Sequence, residues 1–239
     1  MRTQGPAIAM PSLQVSTGNA TASLATSRVA PAAPAQRLAP LADRARHVSF
    51  ARGAAIFRDG DAADRIYEVR NGVVRLSKTL ADGRRQVLDF VEPDRIIGLH
   101  DGKVHGATAE AVTPAVLVSY PRSSVETAMA GDAATACRLM TELRAAAMRS
   151  EVRLVLVGRK TADERVATFL LMRAHRDAAD GEEVSLPMGR ADIADYLAVT
   201  IETVSRALSK FKAGGLIAMP GPQSIVLRDI ERLRDVAGL

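Results

Sequence analysis

Between residues 190 and 212 the chain carries side chains whose types and spacing can read the edge of a base pair. Glu202 and Arg206 lie four residues apart, so on a helix they share one face. A carboxylate there can accept a hydrogen bond from cytosine N4. A guanidinium one turn later can donate to guanine O6 and N7. Ser205 between them can bond a base or touch a thymine methyl group. Glu202 and Arg206 can also pair with each other, a surface contact worth about 0.3–0.5 kcal/mol that would hold the arginine in its reading position. Arg190, Thr203, Ser209, Lys210 and Lys212 are candidates for phosphate contacts, which position a protein without specifying a sequence. Asp192, Asp195 and Glu202 offset much of this positive charge, so a moderate salt dependence is expected.

Such side chains need a helix that can enter a groove. Ile193, Ala194, Tyr196 and Leu197 repeat at helical spacing, the pattern breaks for three residues, and Val204, Ala207, Leu208 and Phe211 resume it. Two short apolar-faced helices joined by a tight turn form a helix-turn-helix, whose second helix enters the major groove. Thr200 is placed as N-cap of that second helix. Gly214-Gly215 closes it with a C-cap signature. Leu216–Met219, the turn Pro220-Gly221-Pro222 and Ser224–Leu227 then read as a β-hairpin, which makes the unit a winged helix.

The stretch Leu186-Pro187-Met188…Asp192-Ile193-Ala194-Asp195-Tyr196-Leu197…Thr200-Ile201-Glu202-Thr203-Val204-Ser205-Arg206 resembles the CRP/FNR family of bacterial transcription regulators. Its Glu-x-x-Ser-Arg spacing is similar to the FNR and FixK branch rather than the cyclic-AMP receptor branch. The turn has Ala198 where the family usually carries glycine. The resemblance covers residues from about 45 to 239. It implies double-stranded DNA as partner, at a TTGA-N6-TCAA-like palindrome in promoters, and contact with RNA polymerase. It also implies a role in low-oxygen or nitrogen metabolism.

The rest of the sequence fits that frame. The 239 residues permit one large or two modest domains, and a net charge of +5 suits a polyanionic partner. Tryptophan is absent and other aromatics are few, so groove readout fits better than base stacking. No apolar run approaches the ~20 residues needed to span a bilayer. Residues 1–40 are rich in Ala, Ser, Thr and Pro, without an acidic residue, and read as a disordered tail. With no secretory or transit signal evident, a cytoplasmic location is expected.

From 41 to 130 the chain is a succession of short β-prone runs: Val48–Phe50, Ala55–Phe57, Ile66–Val69, Val73–Leu76, Gln86–Phe90 and Ala115–Val118. Turns at Arg58-Asp59-Gly60-Asp61, Asn71-Gly72 and Ala81-Asp82-Gly83 separate them. An antiparallel β-roll is expected, corresponding to the family's effector domain. Cyclic-nucleotide relatives grip the cyclic phosphate with a Gly-Glu pair and a later arginine. The matching stretch here is Ile97-Gly98-Leu99-His100…His105-Gly106-Ala107, with no carboxylate after the glycine and no arginine between Lys103 and Arg122. Four cysteine thiolates hold the cluster of the oxygen-sensing branch. This chain has one cysteine, Cys137, read as a buried or half-buried small hydrophobe or else a redox site. His100 and His105 are the remaining haem or metal idea, without a third ligand. No cofactor is expected, which is the FixK-like condition. The alternative is a haem- or small-molecule-gated sensor of the same family.

Residues 131–158 read as a long helix in which Ala136, Met140, Leu143, Ala147, Ser150, Leu154 and Val157 alternate four and three apart. That is the seam of a parallel homodimer. Gly158-Arg159-Lys160 ends it, and Thr161-x-x-Glu164 is a capping box that opens the DNA-binding domain, 159–239. No nucleophile–base pair, Gly-rich phosphate loop or His/carboxylate set points to an enzyme. The expected fold is α+β: an N-terminal antiparallel β-roll, a long dimerisation helix and a C-terminal winged helix-turn-helix. The expected function is that of a sequence-specific transcription regulator, acting as an activator.

Overall fold

A computed structural model describes residues 38–100, 102–177 and 183–239. The expected tail therefore lies outside the described residues, except for its last three, which are not tail. Leu38 is buried, and Ala39–Arg44 forms a 3-10 helix. Leu38 and Leu41 belong to one apolar cluster with Ile66, Tyr120, Val125 and Leu139. Burial of these two leucines anchors residues 38–44, which the composition of the stretch did not reveal.

The roll comprises β1 (Arg46–Phe50), β2 (Ala55–Phe57), β3 (Arg65–Asn71), β4 (Val74–Thr79), β5 (Arg85–Val91), β6 (Ile96–Ile97), β7 (Thr108–Ala111) and β8 (Ala115–Pro121). They form two four-stranded antiparallel sheets, ordered β1-β8-β3-β6 and β2-β7-β4-β5. Their inner faces enclose Phe57, Val69, Val74, Val91, Ile97, Leu117 and small alanines. The β3–β4 turn requires glycine. Gly72 sits at φ +83°, where a Cβ would fall 2.4 Å from the Pro114 carbonyl oxygen. β6 and β7 were not legible as strands: one is two residues long, and the other reads Thr-Ala-Glu-Ala.

After the roll come α1 (Arg122–Gly131) and the long α2 (Ala133–Arg159). Asp132 separates them and caps α2, its carboxylate accepting from the Ala134 and Thr135 N–H groups. Glu68, fully buried, ties the roll to α2 by accepting from Arg138 at 2.6 Å and from the Tyr120 hydroxyl at 3.2 Å. Burial, with the Glu68 charge, pushes the Tyr120 hydroxyl up to about 12.

The C-terminal domain comprises α3 (Ala162–Asp177), β9 (Glu183–Ser185), α4 (Arg190–Leu197), α5 (Ile201–Ala213), β10 (Ile217–Gly221), β11 (Ser224–Leu227) and α6 (Ile230–Ala237). The capping box forms: the Thr161 N–H donates to Glu164 at 2.6 Å, and the Glu164 N–H reaches the Thr161 hydroxyl at 3.5 Å. The wing hairpin pairs Ile217 with Leu227 and Ala218 with Val226, and β9 completes a three-stranded sheet. One apolar core runs through this domain and into the roll. It includes Val73, Val87, Phe90 and Val112 together with Phe169, Ile193, Leu197, Val204 and Phe211.

Candidate nucleic-acid interface

α4 buries Ile193, Ala194, Tyr196 and Leu197, and α5 buries Val204, Ala207, Leu208 and Phe211. These are the residues of the two helical repeats. The turn between them places Ala198 at φ 53° and ψ 49°, in the left-handed region that a β-carbon disfavours. A single guanidinium secures this corner. Arg165 donates to the Leu197 and Ala198 carbonyls at 3.0 and 3.2 Å, and to Val157 and Lys160 at 2.8 and 2.9 Å. It thereby caps the C-terminal ends of α2 and α4 together. No local pattern marks Arg165, because its role depends on the Leu197 and Ala198 carbonyls, more than thirty residues away.

Thr200 caps α5, accepting from the Thr203 N–H at 3.3 Å. With the other face of α5 buried, Glu202, Ser205, Arg206 and Ser209 are left exposed in a row, as are Lys210 and Lys212. Ile201, which opens the helix, is 47% exposed and adds an apolar group beside them, of the kind that suits a thymine methyl. Thr203 is half-buried.

Two expected details differ. Glu202 and Arg206 do not close an ion pair: the Arg206 guanidinium turns toward the Thr203 hydroxyl at 3.5 Å. The backbone N–H of Glu202 itself, and next the Thr200 hydroxyl, hold the Glu202 carboxyl below the usual range. Free N–H groups in a first helical turn compete well for a carboxylate. Lys210 pairs with Asp163 on α3 at 2.6 Å, so its charge is partly engaged. Arg190 is half-buried, and that desolvation lowers its affinity for a proton.

On α2, Met140, Leu143, Ala147, Ser150 and Leu154 are exposed, with Leu154 at 71%, whereas Ala136 and Val157 are half-buried against their own protomer. Met148, Val152 and Val155 widen this apolar stripe. Cys137 is exposed, neither buried nor half-buried. It lies two residues from Thr135 and Leu139, which take the buried face of the helix.

The family description "Crp-like helix-turn-helix domain" matches residues 164–236, and "Cyclic nucleotide-binding domain" matches residues 47–132. The nitrogen fixation regulation protein FixK of Azorhizobium caulinodans is 42% identical over 207 residues, covering 85% of this chain and 82% of that protein. The chain belongs to the CRP/FNR family. It is FixK-like within it, and as a member it is a DNA-binding transcription regulator rather than an enzyme. The transcriptional activator protein FnrL of Cereibacter sphaeroides is 31% identical over 210 residues, covering 85% of each chain. Among solved structures, FixK2 from Bradyrhizobium japonicum superimposes with a TM-score of 0.76. It is 40% identical, with 80% of this chain and 96% of that one covered. No described helix of this CRP/FNR protein is long and apolar enough to cross a membrane.

The residues present do not fit a cyclic phosphodiester. Arg122, the first arginine after the glycine loop, donates to three backbone carbonyls: those of Ala63, His100 at 2.6 Å and Gly98 at 2.8 Å. Its guanidinium fork is thereby committed to holding the loop. His105 stacks on Phe57 with ring centroids 3.7 Å apart and lies 3.4 Å from His100 Nε2. Among the described residues no third histidine, cysteine or carboxylate joins the pair as a metal-binding group.

Proposed function

We propose that this regulator acts in the cytoplasm as a homodimeric activator. It binds a TTGA-N6-TCAA-like palindrome in promoters and contacts RNA polymerase from there. Glu202, Ser205 and Arg206 read the single G·C pair of each half-site. Arg190, Thr200, Thr203, Ser209, Lys210 and Lys212 hold or position the backbone. The observation that carries this reading is the exposed Glu202–Ser205–Arg206 row on a capped helix whose opposite face is wholly buried.

The exposed stripe on α2 supports the dimer, because an apolar face of that length is normally covered. The name of its FixK relatives supports a role in the regulation of nitrogen fixation. The protein binds DNA without an effector, so its activity follows its amount. A ligand can shift a regulator only through differential affinity for its two states, and the loop around His105 offers no anion-binding fork to provide that.

Binding-site selection with the purified protein, in air and without added effector, tests the reading. Enrichment of a palindrome with one G·C pair per half is the expected result. Strict dependence on a nucleotide, iron or haem would overturn the effector-free part. Enrichment of an unrelated sequence would overturn the assignment of the reading residues.

A further inference from the structure

Two of the three acidic residues that weaken the helix-turn-helix electrostatically are half-buried, their carboxylates engaged by arginines. Asp192 and Asp195, on α4, turn toward the β-roll. Arg75 on β4 and Arg85 on β5 converge on Asp192, with Arg85 Nη2 2.7 Å from its Oδ1. Arg85 also binds Asp195 through Nε at 2.8 Å and Nη2 at 2.7 Å. The Gln86 side-chain amide donates to the Asp195 main-chain carbonyl. Arg75 is itself held by Glu110 at 2.8 Å, so its guanidinium is fixed before it reaches α4. The cluster is partly shielded: the Asp192 side chain is 13% exposed and that of Asp195 30%. Beside it lie Phe90 and Tyr196, with Arg153 of α2 5.3 Å over the Tyr196 ring.

We infer that Arg75 and Arg85 are positioning residues for DNA binding. Through Asp192 and Asp195 they fix α4 on the roll, and so set how far apart the two recognition helices of a dimer stand. The inference rests on the palindrome-binding dimer proposed above. Its logic is mechanical. α4 and α5 share one core and a turn pinned by Arg165, so α5 cannot shift without α4. A dimer reads two half-sites only if its recognition helices match their separation, about one helical turn of DNA. The winged helix has no charged residue of its own against Asp192 and Asp195 among the described contacts. The roll supplies both arginines.

Opposite signs separate this role from a simple charge effect. Asp192→Asn with Asp195→Asn removes two negative charges from the DNA-binding domain, so electrostatics alone predicts tighter binding to every sequence. The positioning role predicts binding to the selected palindrome about tenfold weaker, with half-site affinity kept. It also predicts loss of discrimination against palindromes with one base pair added to or removed from the spacer.

The experiment uses full-length protein and DNA duplexes of the three spacings, with melting temperatures to establish that each variant folds. Arg85→Gln, at the more exposed side of the cluster, is the second variant should the double change fail to fold. Arg85→Glu should abolish the spacing preference, and adding Asp195→Arg should restore most of it. Tighter or unchanged binding by folded variants that keep the wild-type spacing preference would overturn the inference alone. A wild-type protein indifferent to spacing would overturn the palindrome reading and this inference with it.

Discussion

The ring of Phe90, on a strand of the β-roll, packs 5.5 Å from that of Tyr196, on the first helix of the helix-turn-helix. Both rings are buried, so the contact joins two domains that sequence patterns treat as separate. Phe90→Ala removes a large buried side chain from the common core and should destabilise the protein by about 3–5 kcal/mol. Urea unfolding measures this as a lower midpoint. A loss below about 1 kcal/mol would mean that the rings are apart in solution.

At the DNA, Glu202→Ala or Arg206→Ala should relax discrimination at the G·C pair of each half-site by about 1–3 kcal/mol. Lys210→Ala should weaken all sequences about equally, and only modestly, because Lys210 is partly engaged by Asp163. Competition binding against single-base variants of the selected site gives both results. An Arg206→Ala protein with unchanged sequence preference would remove Arg206 from the reading set.

The seam gives a hydrodynamic prediction. Leu143→Glu or Leu154→Glu places a charge in the exposed stripe of α2 without touching the protomer's own core. The variant should sediment as a monomer and lose the gain in affinity that linkage of two half-sites supplies. An intact dimer would place the interface elsewhere.

Ala198 holds a left-handed conformation at φ 53°. Glycine adopts that region without steric penalty, so Ala198→Gly should stabilise the protein by about 1 kcal/mol. Thermal melting reads this as a rise of a few degrees, and DNA binding should be unchanged. A lower melting temperature would show that the turn is not left-handed in solution.

His105 supplies a pH dependence. Its burial first, then the His100 and Arg122 charges, lower its affinity for a proton in the folded state, against the smaller opposing pull of Asp61 and Asp64. The unfolded chain then binds that proton more tightly. Stability is therefore full above the ordinary histidine pKa of about 6.5 and declines as pH falls below it. Melting temperatures of the wild type and His105→Gln should converge as pH drops from about 7 to about 5. Parallel curves would refute the depressed proton affinity.

What the sequence made legible were features written in neighbouring residues. The helical repeats from Ile193 to Leu197 and from Val204 to Phe211, the Thr200 cap and the Thr161–Glu164 box are all local. The three turn glycines 60, 72 and 83 likewise adopt positive φ. Features that depend on the tertiary fold stayed hidden. Arg165 gains its role only when the ends of two helices meet. Asp192 and Asp195 counted as repulsive charges because their arginine partners lie more than a hundred residues away. Cys137 sits in an apolar stretch, but the helix turns it outward. The Glu202–Arg206 pair failed for a local reason: a helix N-terminus offers the carboxylate closer donors.

The apolar core that passes from Val87 and Phe90 into Phe169, Ile193 and Leu197 has a consequence for how the molecule fails. Two modules with separate cores would melt in two steps, and a surviving reading head could still occupy promoters. Here the roll keeps clusters of its own, but Val73, Val87, Phe90 and Val112 join the core of the winged helix, so heat or a protease should dismantle both in a single cooperative event, with calorimetric and van't Hoff enthalpies in agreement. No folded fragment is then left to compete with intact copies for DNA. If output follows abundance, as proposed above, degradation is then a clean off-switch.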